Sequence, residues 1–318
     1  MKGFKPELLA TAGTVGEAVR LMEAGADALT LGNSRYGMRL PGDFALPDIA
    51  ESVRMAIANG VRIYVAVNQI MNNEILPELP DYLRNLEQAG VDAILFGDPA
   101  VLIAAKHAAP SLKLHWNAEM TATNYVTANY WAGKGAVRAV LARELNMEQV
   151  LAFKSETPME VQVQVHGMTN IYHSKRQLVS SYREHQREQR GGATAVGGER
   201  ITEADGSLFL IEAERPDERY PIFEDGSGTH IMSADDICMI ENLPELIDGR
   251  IDSLKIEGML KSEDYQATAV RCYREAIDAY CADPAGYSFN PEWQERIEQL
   301  QDPRRELSFG FFYKEQVY

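Results

Sequence analysis

Residues 23–32 read EAGADALTLG, and residues 88–97 repeat the pattern as QAGVDAILFG. A weaker copy, DGRIDSLKIEG, occupies residues 248–258. Each copy places a glycine after a helical segment, where it can adopt the left-handed conformation that ends a helix, and continues as a short apolar strand. Repeated helix-then-strand units are typical of a parallel sheet covered by helices.

Outward from these copies, apolar runs predict eight strands alternating with helices. The strands lie near residues 6–11, 27–32, 62–68, 93–98, 113–119, 137–143, 161–166 and 252–257. Helical patterns fill the intervals at 15–24, 46–59, 78–88, 100–108, 124–134 and 147–154. This order favours a closed (β/α)8 TIM-type barrel of the α/β class, because closure leaves no strand edge exposed. An open doubly wound sheet is the alternative.

A segment of about 84 residues separates predicted strands seven and eight, far more than an ordinary crossover needs. Its sequence predicts a basic helix at 174–190, a glycine-rich stretch at 191–198 and a β-hairpin around EDGSG at 224–228. In the hairpin, 207–213 or 220–223 pairs with 229–232. A further helix is predicted to begin at Ser233, with Asp236 completing a capping box.

These elements predict one barrel with a long insertion. The barrel covers residues 1–283, and the insertion at 168–250 is expected above the carboxyl ends of the strands. Residues 284–318 are expected to wrap the outside as helical or extended chain.

Composition restricts the class of protein. The 318 residues carry a formal net charge of −16, which works against autonomous nucleic-acid binding. No run approaches 18 apolar residues and the amino terminus lacks the apolar region of a signal peptide, so we expect no membrane span. Three cysteines form no disulfide framework, which fits a cytoplasmic protein.

Polar residues alternate with apolar ones along three predicted strands. Because successive strand residues point to opposite faces, the apolar set must meet the helices and the polar set must enter the barrel. The polar set comprises His115, Asn117 and Glu119 on strand five, Gln162, Gln164 and His166 on strand seven, and Ser253, Lys255 and Glu257 on strand eight. Ordinary barrels fill this space with branched aliphatic side chains, so the pattern indicates a ligand site at the carboxyl ends of the strands.

The same reasoning selects candidate site residues. For proton transfer we select Glu119, His166, Lys255 and Glu257. For substrate binding we select Arg39, Asn68, Asp98, His115, Asn117, Arg143, Glu144 and Arg176. A small anionic ligand, such as a carboxylate, suits the arginines among them. No metal site is predicted, because the chain lacks His-Glu-x-x-His and Cys-x-x-Cys patterns.

The chain resembles peptidase family U32. The resemblance runs from about residue 6 to 282 and is carried by RYGMRLPGDF at 35–44, YVAVN at 64–68, FGDP at 96–99, AREL at 142–145, VHG at 165–167, FED at 223–225 and DSLKIEG at 252–258. Within the family it is most similar to the short Firmicutes paralogue of the prephenate-dependent tRNA uridine 5-hydroxylation proteins. The resemblance implies a role in forming 5-hydroxyuridine at the tRNA wobble position, together with a longer, cluster-bearing paralogue and with a prephenate-like carboxylate as ligand.

Cluster-bearing members of this family use four cysteines to hold an iron–sulfur cluster. Asn170 and Gln177 stand at two of those positions here, and only Cys238 is kept. Met259 replaces the arginine of the family's Lys-Ile-Glu-Gly-Arg. The resemblance therefore implies a subunit without its own cluster.

Two other functions stay open at this level. The family name implies a collagenase-like hydrolase or protease, and the polar interior would also suit a carboxylate-binding scaffold without turnover. The basic segment containing Lys175, Arg176, Arg183, Arg187 and Arg190 is either an RNA-facing patch or an ordinary exposed helix.

Overall fold

A computed structural model describes residues 3–117, 123–190, 201–204 and 207–315. The strands are β1 Glu7–Thr11, β2 Ala28–Gly32, β3 Arg62–Val67, β4 Ala93–Phe96, β5 Lys113–Asn117, β6 Ala136–Val140, β7 Glu160–Gly167, β8 Asn170–Ser174, β9 Ile201–Ala204, β10 Ser207–Ile211, β11 Arg219–Asp225, β12 Gly228–Met232, β13 Asp236–Cys238, β14 Ser253–Ile256 and β15 Leu307–Ser308. The helices are α1 Val15–Glu23, α2 Leu46–Asn59, α3 Leu79–Ala89, α4 Pro99–Ala108, α5 Tyr125–Gly133, α6 Met147–Glu156, α7 Leu178–Arg190, α8 Leu243–Asp248, α9 Glu263–Ala282 and α10 Pro291–Glu298.

The parallel strands β1 to β7 and β14 close into a barrel. Each pairs with the next in chain order, and β14 pairs with both β7 and β1. The predicted (β/α)8 barrel is therefore confirmed, and the open sheet is wrong. In two of the three copies the glycine acts as expected, since Gly25 and Gly90 follow α1 and α3 with φ angles of 103° and 86°. The third copy differs: Gly249 has a φ angle of −71°, and Arg250, at 60°, takes the left-handed conformation instead.

Two apolar layers hold the barrel together. The larger core lies between the strands and the helices, and it includes Val161, Val163 and Val165 of β7. A smaller cluster fills part of the interior and consists of Leu9, Ala28, Tyr64, Ala93, Leu95 and Val140. The alternation predicted from the sequence thus separates outward from inward side chains.

The chain divides into two compact units, residues 1–167 with 237–318, and residues 168–236. The second unit contains a five-stranded sheet in the order β8-β12-β11-β10-β9. The predicted hairpin is confirmed, because β11 pairs with β12 around residues 225–228 and β10 pairs with β11.

Two local predictions in this region are wrong. Residues 170–174 form strand β8, so the basic helix begins at Leu178 rather than Ser174. No helix begins at Ser233, because residues 236–238 pair with β7 as the antiparallel strand β13. Strand pairing outweighs the capping pattern there, and the helix α8 starts at Leu243. The glycine-rich prediction at 191–198 falls outside the described residues.

Candidate functional site in the barrel

Glu257 lies directly after β14, with only 6% of its surface exposed. Its Oε1 accepts hydrogen bonds from the Thr11 hydroxyl at 3.0 Å and from the Met259 amide at 3.1 Å. Its Oε2 lies 2.9 Å from Nζ of Lys255. The two predicted proton-transfer residues of this strand are therefore brought together, in an arrangement that can exchange a proton with a ligand or bind its polar groups.

Gly167 brings the end of β7 against the backbone of Glu257. Its φ angle is 94°, and a Cβ atom built there would lie 2.2 Å from the carbonyl oxygen of Glu257. The Glu257 amide donates a 3.0 Å hydrogen bond to the carbonyl of His166. Only glycine permits this approach, so the His-Gly step fixes the position of the Glu257 backbone.

His166 does not enter the barrel interior, and its predicted direction is wrong. Lys255 pairs with Gln164 but Ile256 pairs with His166, so Val165 is an extra residue that forms a β-bulge. Beyond the bulge the imidazole faces α9, where Nε2 lies 2.8 Å from the Tyr265 hydroxyl.

His115 occupies the middle of the interior. Its ring makes an edge contact with Tyr64, with ring centroids 4.7 Å apart, and only 2% of its surface is exposed. Burial, reinforced by the charge of Arg138, holds the pKa of His115 well below its ordinary value. The imidazole is therefore neutral at physiological pH and can both donate and accept a hydrogen bond.

Several interior side chains have polar atoms without a hydrogen-bond partner among the described residues. These atoms are Thr30 Oγ1, His115 Nδ1 and both amide atoms of Gln162. Gln162 is fully buried and alternates with Val161 and Val163 of the outer core, so it points inward. Buried polar groups normally find a partner, and this set is suited to water or to a polar ligand.

A buried ionic network lies at the opposite end of the barrel and was not found from the sequence. Glu7 Oε1 lies 2.6 Å from Nη1 of Arg138, whose Nη2 lies 2.7 Å from Glu160. The hydroxyls of Tyr64 and Ser253 donate to Glu7 at 2.6 and 2.8 Å. Arg138 alternates inward on β6, a signal that could have indicated the network.

The charge of Glu7 is stabilised by its neighbours. Burial raises its pKa, but the charge and hydrogen bonds of Arg138, with the charge of Arg62, outweigh burial and lower it. These groups pair their charges and hydrogen bonds with one another at the amino-terminal end of the strands. The network is therefore suited to stabilising the fold rather than to binding a ligand.

Two predicted binding residues support loops instead. Asn68 Oδ1 accepts the amide of Met38 at 3.0 Å. Asp98 caps α4 by accepting the amide of Ala100 at 2.8 Å, and it also accepts Met71 N at 3.0 Å. These bonds show that both side chains position backbone, so contact with a ligand stays a prediction.

The remaining predicted residues differ in burial. Asn117 is buried at the end of β5, Arg39 and Arg143 are half-buried, and Glu144 is exposed. Arg176 is exposed in the second unit. Glu119 lies outside the described residues.

Comparison of the sequence with known protein families identifies the family of this chain. The family model for peptidase family U32 matches residues 13–317. The chain belongs to peptidase family U32. The resemblance inferred from its motifs is confirmed.

Named U32 relatives are similar over nearly the whole chain. The tRNA hydroxylation protein P2 of Bacillus subtilis is 48% identical over 99% of both chains. The tRNA hydroxylation protein P1 of the same organism is 33% identical over 99% of this chain and 74% of its own length. The tRNA hydroxylation protein P of Escherichia coli is 30% identical over 93% of this chain and 72% of its own.

The cysteines of this U32 chain do not fit a four-thiolate cluster. The sequence contains three, and Cys272 and Cys281 lie on α9, where burial raises the pKa of each thiol. Cys238 is buried beside Tyr273, whose hydroxyl lies 3.9 Å from its sulfur. Across the described ranges, no group of three or more His, Cys, Asp or Glu could hold a metal ion.

Asn170 and Gln177, which the resemblance predicts to stand at two cluster-ligand positions, make local contacts. Asn170 Nδ2 lies 3.6 Å from the sulfur of Met232, and Gln177 Nε2 donates to the carbonyl of Asp225 at 2.6 Å. These amides connect β8 and the following turn to the neighbouring hairpin.

Among the helices of the described residues, none is long and apolar enough to cross a membrane.

Proposed function

We propose that this chain is the non-cluster subunit of a complex that forms 5-hydroxyuridine at the wobble position of tRNA. The observation that carries the proposal is its 48% identity with tRNA hydroxylation protein P2 over 99% of both chains. At this identity and coverage, the whole fold corresponds between the two proteins. Such a subunit acts in the cytoplasm, where tRNA is available.

The proposed partner is a longer U32 paralogue that carries the iron–sulfur cluster. Four thiolates ordinarily hold such a cluster, and three cysteines cannot supply them. Protein P1 of Bacillus subtilis is longer than this chain, since its alignment covers 74% of P1 but 99% of the chain. In such a pair of U32 chains of unequal length, the longer chain would carry out the redox chemistry and this chain would serve as the non-cluster subunit.

The barrel interior supplies the ligand site of the proposal. Lys255 and Glu257 form a charged pair beside an interior that holds the neutral His115 and the amide of Gln162. A small carboxylate ligand of the prephenate type could take the ammonium of Lys255 as its counter-ion. Thermal-shift measurements with prephenate, and with the Lys255→Met variant as control, test this part of the proposal.

The function is tested by nucleoside analysis of tRNA. A strain of the source organism that lacks the gene for this chain should lose most of its 5-hydroxyuridine derivatives, and the wild-type gene should restore them. An unchanged nucleoside content in the deletion strain would contradict the proposal. If the purified protein instead cleaves denatured collagen, the hydrolase alternative replaces it.

The partner is tested separately by affinity purification. The tagged chain should recover the longer U32 paralogue, and the recovered complex should show the visible absorption of an iron–sulfur cluster. Absorption of the same intensity in the purified chain alone would contradict the assignment of a non-cluster subunit.

A further inference from the structure

Residues 170–190 of the second unit have a charge opposite to that of the whole chain. They contain five Lys or Arg and two Glu, a net charge of +3, within a protein of net charge −16. A local positive segment on an acidic protein concentrates any attraction for a polyanion at one place. The segment is therefore the strongest candidate for contact with nucleic acid.

The segment exposes aromatic as well as basic side chains. Tyr172 lies on β8, one of the two edge strands of the second sheet, and is 48% exposed. Tyr182 lies in the second turn of α7 and is 43% exposed. Lys175, Arg176 and Arg183, which lie between or next to these tyrosines in the sequence, are also exposed. We call these five residues the basic–aromatic surface.

Hydrogen bonds from the hairpin hold the segment in place. Thr229 Oγ1 accepts the amide of Leu178 at 2.8 Å, and it lies 2.7 Å from both possible acceptors of its one proton, the carbonyl of Arg176 and Oε1 of Glu224. The carboxylate of Glu224 accepts the amides of Val179 at 2.7 Å and Ser180 at 3.1 Å. These bonds satisfy the first amides of α7, so the turn between β8 and α7 is preorganised.

The bonding partners of Glu224 also keep it charged. Burial raises its pKa, but the hydroxyls of Ser180 and Thr229 and the two α7 amides lower it overall. An ionised carboxylate at the amino terminus of α7 interacts favourably with the positive end of the helix dipole and so stabilises the helix. The basic residues are thereby presented on a fixed support.

We propose that the basic–aromatic surface binds a single-stranded loop of tRNA, an inference that rests on the proposed function. Tyrosine rings stack on unpaired bases, while lysine and arginine contact the phosphates. A loop is the fitting partner because bases stacked inside an A-form helix cannot reach a side-chain ring. An acidic protein surface would be attracted by the charges but would leave the exposed tyrosines unused.

The inference is tested with the charge-reversal variant Lys175→Glu/Arg176→Glu/Arg183→Glu of the full chain. Its control is Arg54→Glu/Arg84→Glu/Lys106→Glu, which makes the same charge change at exposed positions on the barrel helices. Fluorescence anisotropy measures binding of labelled tRNA by the chain alone and by its complex with the longer paralogue. We expect at least a tenfold weaker affinity for the test variant than for the control, and a shallower salt dependence.

Aromatic stacking is tested by Tyr182→Ala and Tyr182→Phe. Loss of one stacked base lowers affinity by about tenfold, and phenylalanine, which keeps the ring, should restore binding. Equal affinities of the alanine and phenylalanine variants for tRNA would show that the Tyr182 ring does not stack on a base.

The outcomes separate this inference from the proposed function. If the charge-reversal variant and its control bind tRNA equally, or if wild-type protein and complex bind none, the surface is not an RNA site. The proposed function is still tested independently by the nucleoside content of tRNA from the deletion strain. If only recovery of the paralogue is lost in the variant, the surface binds the partner subunit and the inference fails. If the surface binds tRNA but deletion leaves nucleosides unchanged, the function fails instead.

Discussion

Nε2 of His166 lies 2.8 Å from the hydroxyl of Tyr265, on the helix side of the barrel wall. Tyr273 of the same helix donates to the carbonyl of Val165 at 2.8 Å, so α9 is bonded to the bulge itself. His166, which the alternation pattern predicts to lie in the interior, thus connects β7 to α9. This relationship changes the expected effect of mutations at the His-Gly motif.

Tyr265→Phe removes the hydroxyl that bonds His166. Loss of a buried hydrogen bond should lower the free energy of unfolding by about 1–2 kcal/mol in urea denaturation, while tRNA modification persists. The control Tyr125→Phe, at a tyrosine that is 41% exposed, should change stability by less than about 0.5 kcal/mol. Lost modification at unchanged stability would instead place this pair in the chemistry.

Glu7→Gln removes the charge that pairs with Arg138 in the interior. Breaking a buried ion pair should lower the free energy of unfolding by about 3 kcal/mol at pH 7. Because the folded-state pKa of Glu7 is below its ordinary value of 4.5, this contribution is present above pH 4.5 and is lost as pH falls through the lowered pKa. The stability difference between wild type and variant should therefore shrink in acid, and a constant difference would contradict the account.

Gly167→Ala places a methyl group against the backbone of Glu257. The strain of a φ angle of 94° and the contact with the Glu257 carbonyl should lower stability by about 1–3 kcal/mol. Gly133→Ala at the end of α5, where a Cβ meets nothing within 4 Å, should raise it by up to about 1 kcal/mol. Thermal unfolding measures the stability of both variants. Equal stability of the Gly167→Ala and Gly133→Ala variants would contradict the requirement for glycine at position 167.

Glu257→Gln keeps the size of the side chain but removes its charge beside Lys255. If this pair handles a ligand or proton, 5-hydroxyuridine derivatives in the complemented deletion strain should fall at least about tenfold. The exposed control Glu148→Gln on α6 should restore wild-type levels. Full restoration by Glu257→Gln would exclude a role for this carboxylate.

The sequence was sufficient for the barrel because its signals are local. Glycine-ended helices followed by apolar strands recur at fixed intervals, and period-two alternation placed His115 and Val163 on opposite faces, as the two apolar layers require. Alternation failed at His166, since the bulge at Val165 depends on pairing with β14. Such pairing is tertiary and leaves no local pattern.

Candidate site residues were harder to predict than strands. Asp98 has the residue type and position of a ligand group, yet its carboxylate caps a helix. Arg138 stands in an apolar strand and was not predicted as a site residue, although its inward charge organises the opposite end of the barrel. Residue type and strand position identify polar groups, but only three-dimensional partners separate a capping carboxylate from one that faces a ligand.

The most direct measurement uses a Bacillus subtilis strain that lacks tRNA hydroxylation proteins P1 and P2. Its tRNA is assayed for 5-hydroxyuridine derivatives after expression of this chain alone, P1 alone, or both. We predict background levels with this chain alone and a higher level with both than with P1 alone. Restoration by this chain alone, or no increase over P1, would contradict a non-cluster subunit that acts through its paralogue.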